Sequence, residues 1–197
     1  MPIPVSDSTK ETIIQHFKRK RINFDEDSLI SVLQNSNKKY DIYWAVIGLR
    51  DVGTEKCIPY LKLLKDFPMQ DVKDCLLLTI SHIVGSTETE FYVSVLQEKG
   101  SKKDYPLWAI KESADERAKL PVLTFVENAY KKIRQPSSSY YSCAYVDGLI
   151  FLSKYYDLDV RIQNLFQQFV NIQNRLPQGI RESLKKEISF FNKNINE

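Results

Sequence analysis

Glycine and proline are scarce in this sequence, at 6 and 8 of 197 residues. Sandwiches and barrels need many primed or type II turns, whose positive φ angles fall to glycine, so the shortage argues for helices. Histidine is scarcer still. His16 and His82 stand 66 positions apart, without a Cys-x-x-Cys or His-x-x-x-His pair, which speaks against a metal site and against histidine catalysis. His82 sits near a helix end, where a C-terminal dipole favours positive charge. The cysteines, Cys57, Cys75 and Cys143, are odd in number and widely spaced; they read as reduced residues in apolar surroundings, not as a disulfide framework. No glycine-rich phosphate loop and no nucleophile elbow occurs. The chain opens without a charged leader and apolar run, and its most apolar stretch, Ala144 to Leu152, is broken by Asp147. A secretory signal and a transmembrane helix are therefore not expected. The expectation is a cytoplasmic protein with no membrane association, no cofactor and no metal.

What is present is ordinary globular material, 43% apolar and 27% charged, with a net charge of only +3. That excess is too small for a dedicated nucleic-acid binder. The basic tracts Lys18–Arg21, Lys38-Lys39 and Lys131-Lys132 are dispersed and read as solvated helix ends.

Helix punctuation is frequent. Ser8-x-x-Glu11 and Thr87-x-x-Glu90 have the capping-box pattern. Asp25 or Asp27, Thr54 and Asp104 stand where caps belong, and Pro106 falls in a first turn where its missing N–H costs nothing. Gly53 and Gly85 stand at helix stops, the positions at which glycine takes positive φ cheaply. Helices are expected at about 117–134, 140–156, 160–174 and 178–192, besides those in the first hundred residues. The apolar positions also echo one another. Ala45, Leu49 and Val52 recur as Leu76, Ile80 and Ile83, 31 residues on; Trp44-Ala45 recurs as Trp108-Ala109, and Ile58 and Leu61 as Leu120 and Leu123. A two-helix repeat of roughly 31 to 33 residues fits a helical array.

The segment Cys57-Ile-Pro-Tyr-Leu61-Lys-Leu-Leu64-Lys-Asp66-Phe-Pro-Met-Gln-Asp-Val72-Lys73 resembles the HEAT-repeat unit. The similarity is clearest over about 40–99. It implies an all-α fold, an α-α superhelix: a short HEAT-like solenoid of antiparallel helix pairs. Capping helices would occupy 1–39, the repeat core 40–156 and further capping helices 157–197, in one domain. The resemblance implies a ladder in which residues at the places of Asp66 and Lys73 bind neighbouring backbone and each other across repeats, weakened because lysine lacks arginine's fork. It also implies that the second helices line a concave face used for partners, with no particular chemistry.

In repeat register, Tyr43, Ile47, Arg50, Asp74, Leu78, Lys111, Tyr145 and Asp147 fall on that face and are the candidate partner-binding residues. Tyr40, Tyr43, Tyr105, Tyr140, Tyr141 and Tyr145 cluster at the starts of these helices, and tyrosine suits recognition through its large area and low entropy cost. The same apolar second helices also fit burial between repeats or beneath terminal helices. Asp147, the sole formal charge between Tyr140 and Leu152, must be paired or solvated. The expected function is a non-enzymatic scaffold, adaptor or inhibitor with a protein partner, of which a bacterial toxin-immunity protein is one form. The alternative is nucleic-acid binding: HEAT-like alkylpurine DNA glycosylases use tryptophans and an acid on their concave face, and Trp108 with Glu112 offers a partial counterpart.

Overall fold

A computed structural model describes residues 4–134, 143–189 and 191. Helix follows helix, and no strand occurs among the described residues. The α-helices are α1 (Asp7–Lys18), α2 (Glu26–Asn35), α3 (Lys39–Val52), α4 (Ile58–Lys62), α5 (Gln70–Val84), α6 (Thr89–Gln97), α7 (Asp104–Ser113), α8 (Lys119–Ile133), α9 (Ala144–Ser153), α10 (Val160–Asn171) and α11 (Gln178–Glu187). None of them is long and apolar enough to cross a membrane. The expected Pro136–Ser139 break, and Tyr140 and Tyr141, lie outside the described residues.

The chain divides into two compact units, Met1–Glu88 and Thr89–Glu197. In the first, α3 packs against α1, α2 and α5, and α4 against α2 and α5. In the second, α9 packs against α7, α8, α10 and α11, α6 against α7 and α8, and α10 against α8. Within each unit helices thus touch both their next and their next-but-one neighbours.

The 31-residue echo becomes contact in the first unit. The Thr79 hydroxyl donates to the Val46 carbonyl at 3.0 Å and accepts from Arg50 Nε at 3.4 Å. Tyr43 lies beside Cys75, and Arg50 acts on His82. Contacts advance in the same direction on both helices, so α3 and α5 run parallel, offset by about one repeat. Burial repeats with them: Ala45, Leu49, Leu76 and Ile80 are sealed, while Val52 and Ile83 are half-buried. Likewise Ala45 and Ala109 are buried beside half-exposed Trp44 and Trp108. One echo fails, for Leu123 is buried with Ile58 and Leu61 but Leu120 is exposed.

Local chemistry corrects several expected boundaries. The α1 cap is Ser6, which accepts from Thr9 N, not Ser8. Asp25 caps α2 and Thr54 caps the 3-10 turn before α4, as expected. Asp104 is the first residue of α7 and its cap position is Lys103. Gly53 ends α3 in extended backbone, not with positive φ. Glycine is required there for space, because a Cβ would lie 2.4 Å from the Leu49 carbonyl oxygen. Gly85 does take the positive φ, at 52°. Among the cysteines, Cys57 is buried, Cys75 half-buried and Cys143 exposed, so Cys143 is not the core residue its apolar neighbours suggested.

The second unit is joined by α10, whose Ile162, Leu165, Phe166, Phe169 and Val170 are buried at the i, i+3, i+4, i+7, i+8 spacing of an inward stripe. Arg161 grips Glu127 of α8 through two contacts of 2.9 and 3.1 Å. At the start of α6, Thr89 donates to Asp115 Oδ2 at 3.0 Å, and Asp115 also accepts from the Arg117 backbone and guanidinium. The Arg117 hydrogen bond is the main reason the Asp115 carboxyl titrates at about 2 instead of 3.8; burial opposes it, and the Arg117 amide and Thr89 hydroxyl assist it.

Two predictions follow from this packing. At Gly148 an added Cβ would lie 2.6 Å from Val126 Cγ2, whereas at Gly179 it meets nothing. Gly148→Ala is therefore expected to lose about 1–3 kcal/mol by overpacking, and Gly179→Ala to gain about 0.5 kcal/mol from backbone entropy; urea denaturation of both checks this. The second concerns pH. A carboxyl whose folded pKa is depressed adds stability above its unfolded value and loses it as pH falls through the folded one. The Tm advantage of wild type over Asp115→Asn should be complete above pH 3.8 and close as pH drops to about 2.

Candidate functional site

In the first unit the candidate residues lie on α3 and α5, which pack together. Tyr43 and Leu78 are half-exposed there, while Ile47 and Asp74 are buried and Arg50 is only 9% exposed. Asp74 accepts from Gln70 Nε2 at 2.7 Å. Tyr43 also continues into a row of rings: its centroid is 5.0 Å from Trp44, which lies 6.3 Å from His16. The five candidate residues of this unit thus lie on two packed helices, α3 and α5, and of them Tyr43 is the one shown beside the sunken Arg50 guanidinium.

Arg50 is sunk among neutral groups. Burial is the main cause lowering its pKa, with the Cys75 thiol and Tyr43 phenol nearby. Burial likewise raises the pKa of Tyr43 and of Cys75, against the pull of Arg50, so both keep their protons. His82 is held below its ordinary value by burial first and by Arg50 second, with Asp51 opposing. The expectation of a charge-friendly helix end is corrected: beside a guanidinium the neutral imidazole is favoured, and its Nδ1 is sealed without a hydrogen bond.

In the second unit, Lys111 of α7 and Asp147 of α9 meet at 2.6 Å. Asp147 is thus paired, one of the two states its apolar helix allowed, and Glu112 stands 4.0 Å from the same ammonium. Trp108 is half-buried and has no ring partner among the described residues, so no aromatic cage forms around it. Tyr145 is not available to a partner. It is 2% exposed and stacks on Phe169 of α10 at 5.5 Å, 23° between planes. The terminal helices α10 and α11 pack on α9 and cover that part of the expected groove.

The expected ladder is absent. Asp66 is exposed, Lys73 is half-buried, and no hydrogen bond or ion pair joins them. The aspartate lies on a 3-10 turn, Leu63–Asp66, that closes before α5 begins. A different carboxylate holds the first unit together. Asp41, 7% exposed in the first turn of α3, accepts from His16 at 2.9 Å, from Lys20 and from Ser36 at 3.5 Å. Burial works to raise its pKa, but the Lys20 and His16 hydrogen bonds outweigh that and hold it below the usual carboxylate range. Lys20 is accordingly more than a solvated helix end. The signal was an acid in the first turn of a helix otherwise apolar on several sides, which also suits simple solvation by the N-terminal dipole.

No family model, curated protein or solved structure matches the chain.

The Lys111–Asp147 pair has side chains 21% and 26% exposed, between the surface and buried regimes. A double-mutant cycle with Lys111→Met and Asp147→Asn is expected to show about 0.5–1 kcal/mol of coupling in folding stability. Additive losses would mean that the two charges do not hold α7 to α9.

Proposed function

We propose that this chain is a cytoplasmic, non-enzymatic protein-binding module whose helix pairs stack as HEAT-like repeats, an adaptor or inhibitor of the class that includes toxin-immunity proteins. The observation that carries this reading is the parallel stacking of α3 on α5 at one repeat's offset. It sets side chains of equivalent register next to each other, and the half-exposure of Tyr43 and Leu78 suits a shared face. Repeat arrays recognise partners through such faces, built from side chains at one register position. A rigid aromatic anchor with apolar neighbours is the kind of centre around which protein interfaces gain affinity. In the second unit the corresponding surface is narrower, since Tyr145 is covered and Lys111 is paired to Asp147.

The test is capture of the tagged chain from its native cells at low salt and at about 0.5 M salt, where exposed charge pairs are screened. One protein retained in stoichiometric amount at both salts, and lost with either Tyr43→Glu or Leu78→Glu, is expected. Retention unaffected by both substitutions would contradict the placement of the face. Duplex binding that collapses with salt, accompanied by release of alkylated purines, would favour the glycosylase alternative instead.

A further inference from the structure

Arg50 is nine-tenths buried, yet no carboxylate among the described residues forms an ion pair with it. Its hydrogen bond from Nε to the Thr79 hydroxyl is long at 3.4 Å, and its other close polar neighbour is the Cys75 thiol. A guanidinium carries five N–H donors in a planar fork, and withdrawing it from water without a counter-charge is costly. The neighbours do not relieve that cost. Thr79 already gives its proton to Val46, the Cys75 thiol and Tyr43 phenol are held in their neutral forms, and neutral His82 supplies no charge. No side-chain nitrogen of Arg50 is both sealed from solvent and unbonded, since His82 Nδ1 is the atom in that state among the described residues. The terminal nitrogens of Arg50 therefore keep access to the outside, and the half-exposed residue Tyr43 lies near them.

We propose that Arg50 and Tyr43 form a seat for a single carboxylate, presented by an aspartate or glutamate side chain of the docking protein. This rests on the protein-binding reading and adds the chemistry of the contact. The fork of Arg50 matches the two oxygens of a carboxylate, and the Tyr43 O–H, turned from the weak sulfur acceptor of Cys75, supplies a further donor. Charge decides against a phosphate group. Asp71 acts on both Tyr43 and Cys75, Asp74 on Cys75, and Asp51 on His82. Those three acids repel a dianion more than a monoanion, so one negative charge balances the guanidinium without excess.

The experiment needs no partner. The full chain, with its arginine side chains labelled with 15N, is titrated with N-acetyl-glutamate amide, its glutamine counterpart, and inorganic phosphate at constant ionic strength. The Arg50 Nε–H resonance is expected to move and saturate with the glutamate probe, with a Kd of about tens of millimolar, as suits one charge-assisted contact. The glutamine probe should leave it still. Arg50→Met is expected to lose the thermal stabilisation that the glutamate probe gives wild type, and Tyr43→Phe to weaken it severalfold while the fold persists. An Arg50 resonance that ignores the glutamate probe, equal response to both amides, or tighter binding of phosphate than of the glutamate probe would each overturn the proposal. Saturation by the glutamate probe with no protein captured from cells would keep the seat and discard the protein-binding reading, so the two failures are distinguishable.

Discussion

A helix that is apolar on several flanks needs a neighbour on each of them, and α3 and α9 are such helices. In α3 the buried positions include Ile42, Ala45, Val46, Ile47 and Leu49, which no single packing partner could cover. In α9 they include Ala144, Tyr145, Leu149, Phe151 and Leu152. Each therefore becomes the centre of its unit: α1, α2 and α5 close around the first, and α7, α8, α10 and α11 around the second. Burying a side chain such as Leu or Phe contributes about 1.5–3 kcal/mol, so leaving one flank of either helix open would forfeit several such contributions. The remaining helices can then be amphipathic, as α10 is.

Such packing leaves few places for polar atoms, and those present do specific jobs. Thr79 ties α5 to the α3 backbone, Asp41 gathers His16 of α1 and Lys20 of the turn that follows it, and Asp115 links the start of α6 to Arg117. Each has its partners in place. Arg50 differs, being a buried charge with no acid against it. The proposed binding face is thus marked by this unsatisfied charge, not by its apolar content.

The sequence made the helices and their repetition legible because both depend on spacing. The offset between Ala45 and Leu76, or Leu49 and Ile80, is a linear property, and the structure turns it into side-by-side helices. Contacts that depend on which element arrives next were not legible. Tyr145 looked like a recognition residue until Phe169, 24 positions later, stacked on it. Asp66 and Lys73 matched a motif, but a 3-10 turn took the aspartate out of register. Asp41 was hidden because an acid in a first turn is explained by the helix dipole alone. Gly53 was placed correctly for the wrong reason, since crowding by Leu49 requires it and not positive φ.

The central claim is that α3 and α5 lie parallel, one repeat apart. Nuclear Overhauser contacts measured on the labelled chain test it most directly. The account predicts cross-peaks from the Tyr43 ring to the Cys75 side chain and from Val46 to the Thr79 methyl group, both in one sample. Absence of both, or a Tyr43 ring closest to the far end of α5 near Ile83, would show an antiparallel or unpaired arrangement and contradict it.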